Sequence, residues 1–428
     1  MEITDTPKLH SDWIDPHAMG IVAALQNKGY TTYLVGGCVR DLLLGKSPKD
    51  FDIATEATPN EVRKVIHRSY VIGRRFRLVL VKRGELQFEV ATFRRNGGDD
   101  IDDEEVQGDN YWGTPEEDAR RRDFTINGLF YDPIKKAVID HLNGNIDLEK
   151  GVIKMIGDPD ERLIEDPIRI LRAIRLSHLI RFAIEPDLRI SIQKNAWTLV
   201  ASALPRRREE ILKFLRICNP SLPFLDAFDL GVLKIVSPVL DEAFSCEARS
   251  EEFLRFLYQY YSADFETPLE LFSGLIYAYF RVFVEPDETQ PIRANQILEN
   301  YKIQQLMSSE LGMFKYEQSA LAKALQALHL LQKREDFEKK GPKRQLNLLK
   351  MESFPLALKI ARWDHLISNN DWHYWTKVYG DARETIESQI LEEKKKKKRR
   401  SRSRSSHRSS RKRTDSAELQ MDESTKTD

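Results

Sequence analysis

Cysteine is scarce. Cys38, Cys218 and Cys246 are the only three in 428 residues, odd in number and far apart. No Cys/His spacing suits zinc, so neither a disulfide framework nor a structural zinc site organises the chain. The three are expected to be reduced, half-buried thiols in a reducing compartment. Long apolar runs are missing as well. The longest, Leu271 to Phe280, is too short to cross a bilayer and stops at Arg281, so no membrane role is expected. Met1 to Trp13 has neither a positive n-region nor an apolar h-region. No secretory signal is therefore expected, and the expected location is the cytoplasm.

Net charge is absent only in the sum, with 67 basic and 67 acidic residues. Residues 394–413 hold 13 Lys or Arg and no acid, and 414–428 hold one Lys and five acids, which leaves 53 basic and 62 acidic residues in 1–393, a net of −9. An acidic body with a basic tail implies that the tail meets an anion, most simply nucleic acid. The tail, 391–428, is a Lys run followed by Ser-Arg alternation, which cannot form a core and is expected to be disordered. The 41% hydrophobic and 31% charged content of the whole is that of a soluble globular protein with room for two or three domains.

What is present is a constellation. Leu34-Val35-Gly36-Gly37 reads as a strand running into a glycine turn, and Val39 to Leu44 as a helix closed by Gly45. Phe51 to Ala54 follows as a strand, Asn60 to His67 as a helix behind Pro59, and Arg77–Lys82 and Leu86–Phe93 as a hairpin turning at Arg83-Gly84. Strand periodicity puts Asp50 and Asp52 on one face and Phe51 in the core. Two carboxylates that close need a cation, and Mg²⁺ is the usual hard choice. Gly36 and Gly37 let backbone N–H groups approach a phosphate at a helix start. Together these residues describe metal-dependent phosphoryl or nucleotidyl transfer. Residues 95–114 read as an exposed loop, and helical patterns dominate from about 150 to 390.

Two further segments, Arg121-Arg122-Asp123-Phe124-Thr125-Ile126-Asn127-Gly128 and Glu165-Asp166-Pro167-Ile168-Arg169-Ile170-Leu171-Arg172, complete a resemblance. The chain resembles the class II branch of the nucleotidyltransferase superfamily, which holds CCA-adding tRNA nucleotidyltransferases and bacterial poly(A) polymerases. The motifs cover about residues 30–215, with weaker likeness to about 390. The resemblance implies an α+β fold: a polymerase-beta-like mixed-sheet head of five strands (14–150), then all-α neck helices (151–215) and a helical body (216–390) before the basic tail (391–428). It implies two Mg²⁺ ions on Asp50 and Asp52, one activating the RNA 3′-hydroxyl and one bracing the leaving pyrophosphate, with Glu89 as the third carboxylate. Gly36, Gly37 and Arg40 would cradle the triphosphate, and Arg122 and Asp123 would hold ribose and phosphate. Asp166 and Arg169, three apart on one helix, would read the base edge in place of a nucleic-acid template. Glu165 is expected to be structural, at a helix N-terminus. Arg172 and Arg175 would touch phosphate or pair with the acidic body.

Within the branch, Val71-Ile72-Gly73-Arg74-Arg75-Phe76-Arg77-Leu78-Val79-Leu80-Val81 resembles the segment that marks bacterial poly(A) polymerases, departing from it at Leu80, where that pattern has His. The basic tail and Lys343 to Lys350 resemble theirs too, and thirteen cations give salt-sensitive grip on any RNA. The expected activity is therefore template-independent addition of AMP from ATP to RNA 3′ ends, by a monomer. The alternatives are a CCA-adding enzyme using CTP and ATP, and a catalytically inactive RNA-binding scaffold on the same fold. No His-Asp dipeptide occurs, so the metal-phosphohydrolase domain that some CCA-adding relatives carry is not expected.

Overall fold

The computed structural model describes residues 2–3, 9, 11–73, 78–95, 112–285 and 290–388. The basic tail, Arg74 to Arg77 and most of the 95–114 loop lie outside these residues. The described part divides into two compact units, Met1–Tyr258 with Ser309–Gly312, and Gln259–Ser308 with the residues after Gly312.

The first unit opens with α1 (Pro16–Gln26), started by Asp15, whose carboxylate accepts from the His17 N–H, and by Pro16 at its first position. Ala18, Ile21, Val22 and Leu25 follow at helical spacing and are fully buried. The sheet strands are β1 (Glu2–Ile3), β2 (Thr32–Val35), β3 (Asp52–Thr55), β4 (Ser69–Ile72), β5 (Leu78–Arg83), β6 (Leu86–Thr92), β7 (Leu129–Asp132) and β8 (Ala137–Asp140), in spatial order β1-β8-β7-β2-β3-β6-β5-β4. Eight strands replace the expected five. Strand β4 extends the Val71-Ile72 segment onto the β5–β6 hairpin, and the β7–β8 hairpin closes the other side. All pairs are antiparallel except β3 with β6.

Helices α1, α2 (Gly37–Leu43) and α3 (Pro59–Val65) cover one face of the sheet, where Leu34, Ile53, Val79, Val81, Phe88 and Val90 meet them in the main core. A capping box starts α3, with the Thr58 N–H donating to Glu61. On the other face a smaller cluster of Val35, Ala54, Phe93 and Phe130 packs against Ala119 of α4 (Pro115–Arg120). Among the described residues that face is covered over its middle strands. Of the thiols, Cys38 is fully buried and Cys218 exposed, which corrects the half-buried expectation for both; Cys246 is intermediate.

After α5 (Gly144–Lys150), four helices follow: α6 (Pro159–Glu165), α7 (Ile168–Ile180), α8 (Pro186–Asn195) and α9 (Leu204–Leu215). The Asp158 carboxylate caps α6 by accepting from the Glu161 N–H. Arg175 of α7 pairs with Glu210 of α9 at 2.9 Å, so this arginine ties two helices together. The second unit is helical, built on buried Phe272, Tyr277, Leu325 and Trp375. Its helix Pro342–Leu349 buries Leu349 and leaves Lys343 and Arg344 exposed. No helix among the described residues is long and apolar enough to cross a membrane.

Candidate active site

The site is built where β3 and β6 lie side by side. Their parallel register sets Asp52 opposite Glu89. Partners in register point to one side of a sheet, so both carboxylates leave the face opposite Phe88 and Val90. Asp50 precedes the strand, and Phe51 between the two aspartates is buried, as the alternation predicts. Burial around its carboxylate and the Asp50 charge push the Asp52 pKa up, against Arg122, which lowers it. Burial, then Asp52 and Asp50, raise Glu89 likewise. Three carboxylates thus feel one another, which is the electrostatic condition a cation relieves. Among the described residues no three His, Cys, Asp or Glu side chains close into a ready metal cage. The donor set nonetheless suits a hard cation that takes its remaining ligands from water and substrate phosphates.

Gly36 links β2 to α2 with φ +75° and ψ −132°, a region only glycine adopts readily. A Cβ there would stand 3.0 Å from Nη1 of Arg122. Gly36→Ala is expected to cost about 2 kcal/mol of stability and to displace Arg122; equal denaturation midpoints for wild type and variant would count against this. Arg40 lies behind the turn. It is buried, with Nε and Nη2 donating to Asp41 and Nη1 to Asn127 at 2.7 Å, so its guanidinium braces the glycine turn against the Thr125–Asn127 segment.

Arg121, Arg122, Asp123, Asp166, Arg169 and Arg172 line one polar cleft together with Asp52 and the glycines. Asp118 of α4 sets the first two: Oδ1 accepts from Arg121 Nε at 2.9 Å and Oδ2 from Arg122 Nη2 at 2.9 Å. Arg122 also lies over the Phe130 ring, 5.2 Å from its centroid. Asp123 is buried and pairs with Arg172 at 2.7 Å, while Asn127 Nδ2 donates to it at 3.1 Å. Burial raises its pKa, but Arg172, Asn127 and the Phe124 N–H outweigh burial and hold it below the usual carboxylate value. Arg162 of α6 then donates to the backbone carbonyls of both Arg121 and Arg122 at 2.8 Å, locking this motif to the helices behind it.

Asp166 and Arg169 both reach the cleft, but not from one helix. Pro167 ends α6, and Asp166 has φ −141° between the two helices, as expected of a residue before proline. Arg169 is the second residue of α7. Glu165 is correspondingly the last residue of α6 rather than a helix start, and it bridges Arg162 and Arg169. Arg206 of α9 grips Asp166 through two parallel hydrogen bonds of 2.8 Å. Asp166 therefore presents a carboxylate already oriented by an arginine.

Asp118, Arg162, Asn127 and Arg206 escaped the sequence reading. Asp118 was findable, because it sits three and four residues before Arg121 and Arg122, the spacing of helical ion pairs. Arg206 carries no such signal, since its partner lies on a distant segment.

Comparison with known proteins agrees with this geometry. Residues 32–154 match the poly A polymerase head domain, and 181–244 the probable RNA and SrmB-binding site of polymerase A. In those two segments the chain is similar to the poly A polymerase family. More particularly, the chain is similar to poly(A) polymerase I of Salmonella typhi, 45% identical over 216 residues, 48% of this chain and 46% of the relative. It is also similar to the CCA-adding enzyme of Geobacillus kaustophilus, 36% identical over 198 residues, 46% of this chain and 48% of the relative. The matched stretch spans about half the length of these curated relatives. The solved CCA-adding enzyme of Bacillus stearothermophilus in complex with CTP shares the fold, with TM-score 0.62 and 23% identity over 86% of this chain and 83% of that one.

Proposed function

We propose that the protein is a template-independent poly(A) polymerase that transfers AMP from ATP to RNA 3′ ends. The observation that carries this reading is Asp52, in register with Glu89, lining one cleft with Gly36, Gly37, Arg122, Asp123, Asp166 and Arg169. In the reaction, the RNA 3′ oxygen bonds to the α-phosphorus of ATP, the bond to the bridging oxygen breaks, and pyrophosphate leaves. Asp50 and Asp52 would hold Mg²⁺, which when bound supplies Lewis-acid polarisation of the reacting phosphate oxygens. Arg122, fixed by Asp118, offers positive charge to the triphosphate, and Asp123 faces the ribose. Asp166 and Arg169 present an acceptor and a donor to the base edge, which suits an exocyclic amine next to a ring nitrogen, as in adenine and cytosine.

In this reading residues 14–150 are the catalytic head, 151–215 the nucleotide-binding neck and 216–390 the RNA-binding body, with the tail 391–428 holding RNA phosphates. The protein acts as a cytoplasmic monomer. The 45% identity to poly(A) polymerase I over 216 residues supports adenylate addition. The likeness to CCA-adding enzymes favours a second reading, repair of tRNA 3′ ends.

The two are separated by incubating the protein and Mg²⁺ with an oligoadenylate-ended RNA or a tRNA lacking its CCA end, with ATP or CTP. A long ladder with ATP on the first RNA and little use of CTP is expected. Three additions confined to the tRNA, requiring both nucleotides, would overturn the proposal.

A further inference from the structure

The sheet face that carries Asp52 and Glu89 continues beyond them. Direct cross-strand partners run Asp52, Glu89, Leu80, Tyr70 across β3, β6, β5 and β4. Such partners share one side of the sheet, and the intervening Val79, Val81, Phe88 and Val90 fill the core on the other. Tyr70 thus stands on the carboxylate side, at the edge strand, three strand spacings or ~14 Å from Asp52.

There, among the described residues, nothing packs over the face. Tyr70 is 55% exposed and Ile72, two residues along the same strand, 39%, while Leu80 is half-buried. Lys82 follows Leu80 on the same side, exposed, with Nζ 6.0 Å from the Tyr70 ring centroid. An aromatic ring, an apolar floor and an ammonium group on an open sheet face are the elements by which proteins grip single-stranded nucleic acid: a base stacks on the ring and a phosphate meets the cation. The position has a direction, because the row of residues leads straight to the carboxylates.

We infer that Tyr70, on the floor made by Leu80 and Ile72, stacks a base of the RNA primer upstream of its 3′ end, and that Lys82 meets the adjoining phosphate. This rests on the proposed function, which sets the RNA 3′ end at Asp52 and Glu89. At a rise of ~3.4 Å per stacked nucleotide, ~14 Å places the stacked base about four nucleotides from the end. Stacking on a ring face accepts every base, so the platform lengthens the grip on a primer without selecting its sequence. The apolar Leu80 keeps the floor free of a competing polar group.

The test compares wild type, Tyr70→Ala and Tyr70→Phe. Extension by ATP is measured on oligoadenylate primers of about two to ten nucleotides, and binding without ATP on primers carrying 2-aminopurine at single positions counted from the 3′ end. For primers beyond about four nucleotides, Tyr70→Ala is expected to raise the primer KM about tenfold, leaving kcat at saturating primer and the KM for ATP unchanged. The shortest primers should not distinguish it from wild type, and Tyr70→Phe should keep wild-type behaviour. Quenching of 2-aminopurine at one upstream position should disappear in Tyr70→Ala alone. Unchanged primer KM and quenching in Tyr70→Ala would overturn the platform and leave the edge strand for another partner, such as a peptide strand. Failure of the wild type to extend oligoadenylate with ATP would instead overturn the proposed function. The fluorescence arm needs only binding, so it decides the platform in that case also.

Discussion

Asparagine at position 52 is expected to abolish nucleotide addition, with the rate falling roughly 10³-fold or more, while the folded chain becomes no less stable. The two halves of this result come from one cause. Burial and Asp50 push the Asp52 pKa up, and Glu89 is raised partly by Asp52. A carboxylate whose pKa is raised on folding binds its proton more tightly in the folded than in the unfolded chain. Its charge therefore works against the fold at neutral pH, and the penalty fades as pH falls through the interval between the raised and the ordinary value. Without divalent cation at neutral pH, Asp52→Asn should melt at or above the wild-type temperature. Adding Mg²⁺ should raise the wild-type Tm more than the variant's. Primer extension and thermal melts with and without Mg²⁺ check both halves. Retained addition by Asp52→Asn would remove Asp52 from the chemistry, and equal Mg²⁺ responses would remove it from metal binding.

Asp118→Ala is expected to be the most damaging change to the architecture of the cleft, at about 3 kcal/mol or more. The side chain is 2% exposed and holds Arg121 and Arg122 at once, and it also accepts from the Arg94 N–H at 3.2 Å. Truncation leaves two guanidinium groups facing a cavity that has lost its counter-charge, and frees Arg122 from its place over Phe130. Burial raises the Asp118 pKa, but Arg122 and Arg121 outweigh it and hold the carboxyl below the usual value. A depressed carboxylate contributes stability that is present above its unfolded pKa and lost as pH falls through the folded one. The stability difference between wild type and Asp118→Ala should therefore be full at neutral pH and narrow on acidification below about pH 4. Denaturant titrations of both proteins across pH would show it. A difference that does not change with pH would mean that Asp118 acts by packing and not through its charge.

The head was legible in the sequence wherever periodicity and chemistry coincide. Phe51 between Asp50 and Asp52 alternates cleanly, and the Val79-Leu80-Val81 and Phe88-Glu89-Val90 segments repeat the pattern, so β3, β5 and β6 could be recognised. Strands β7 and β8 could not. Their residues Leu129–Asp132 and Ala137–Asp140 are buried on both faces, which removes the alternation that betrays a half-exposed strand. The break between α6 and α7 had a visible cause in Pro167, yet the Asp166–Arg169 motif looked continuous because both of its polar residues serve one cleft. The Arg206 grip on Asp166 was invisible for a different reason. Nothing local to either residue requires the other, and only the packing of α7 on α9 brings them together.

The parallel pairing of β3 with β6 has a kinetic meaning. Asp52 and Glu89 meet only after the intervening helix α3, strand β4 and the β5–β6 hairpin have been made, so no fragment ending before β6 can assemble the carboxylate pair. Loop closure of this kind is the slow part of forming a sheet. Until β6 is in place the two acids stay apart, and Glu89 does not feel the Asp52 charge. The upward shift of the Glu89 pKa should thus arise late in refolding, which makes it a mark of the completed sheet rather than of its nucleus.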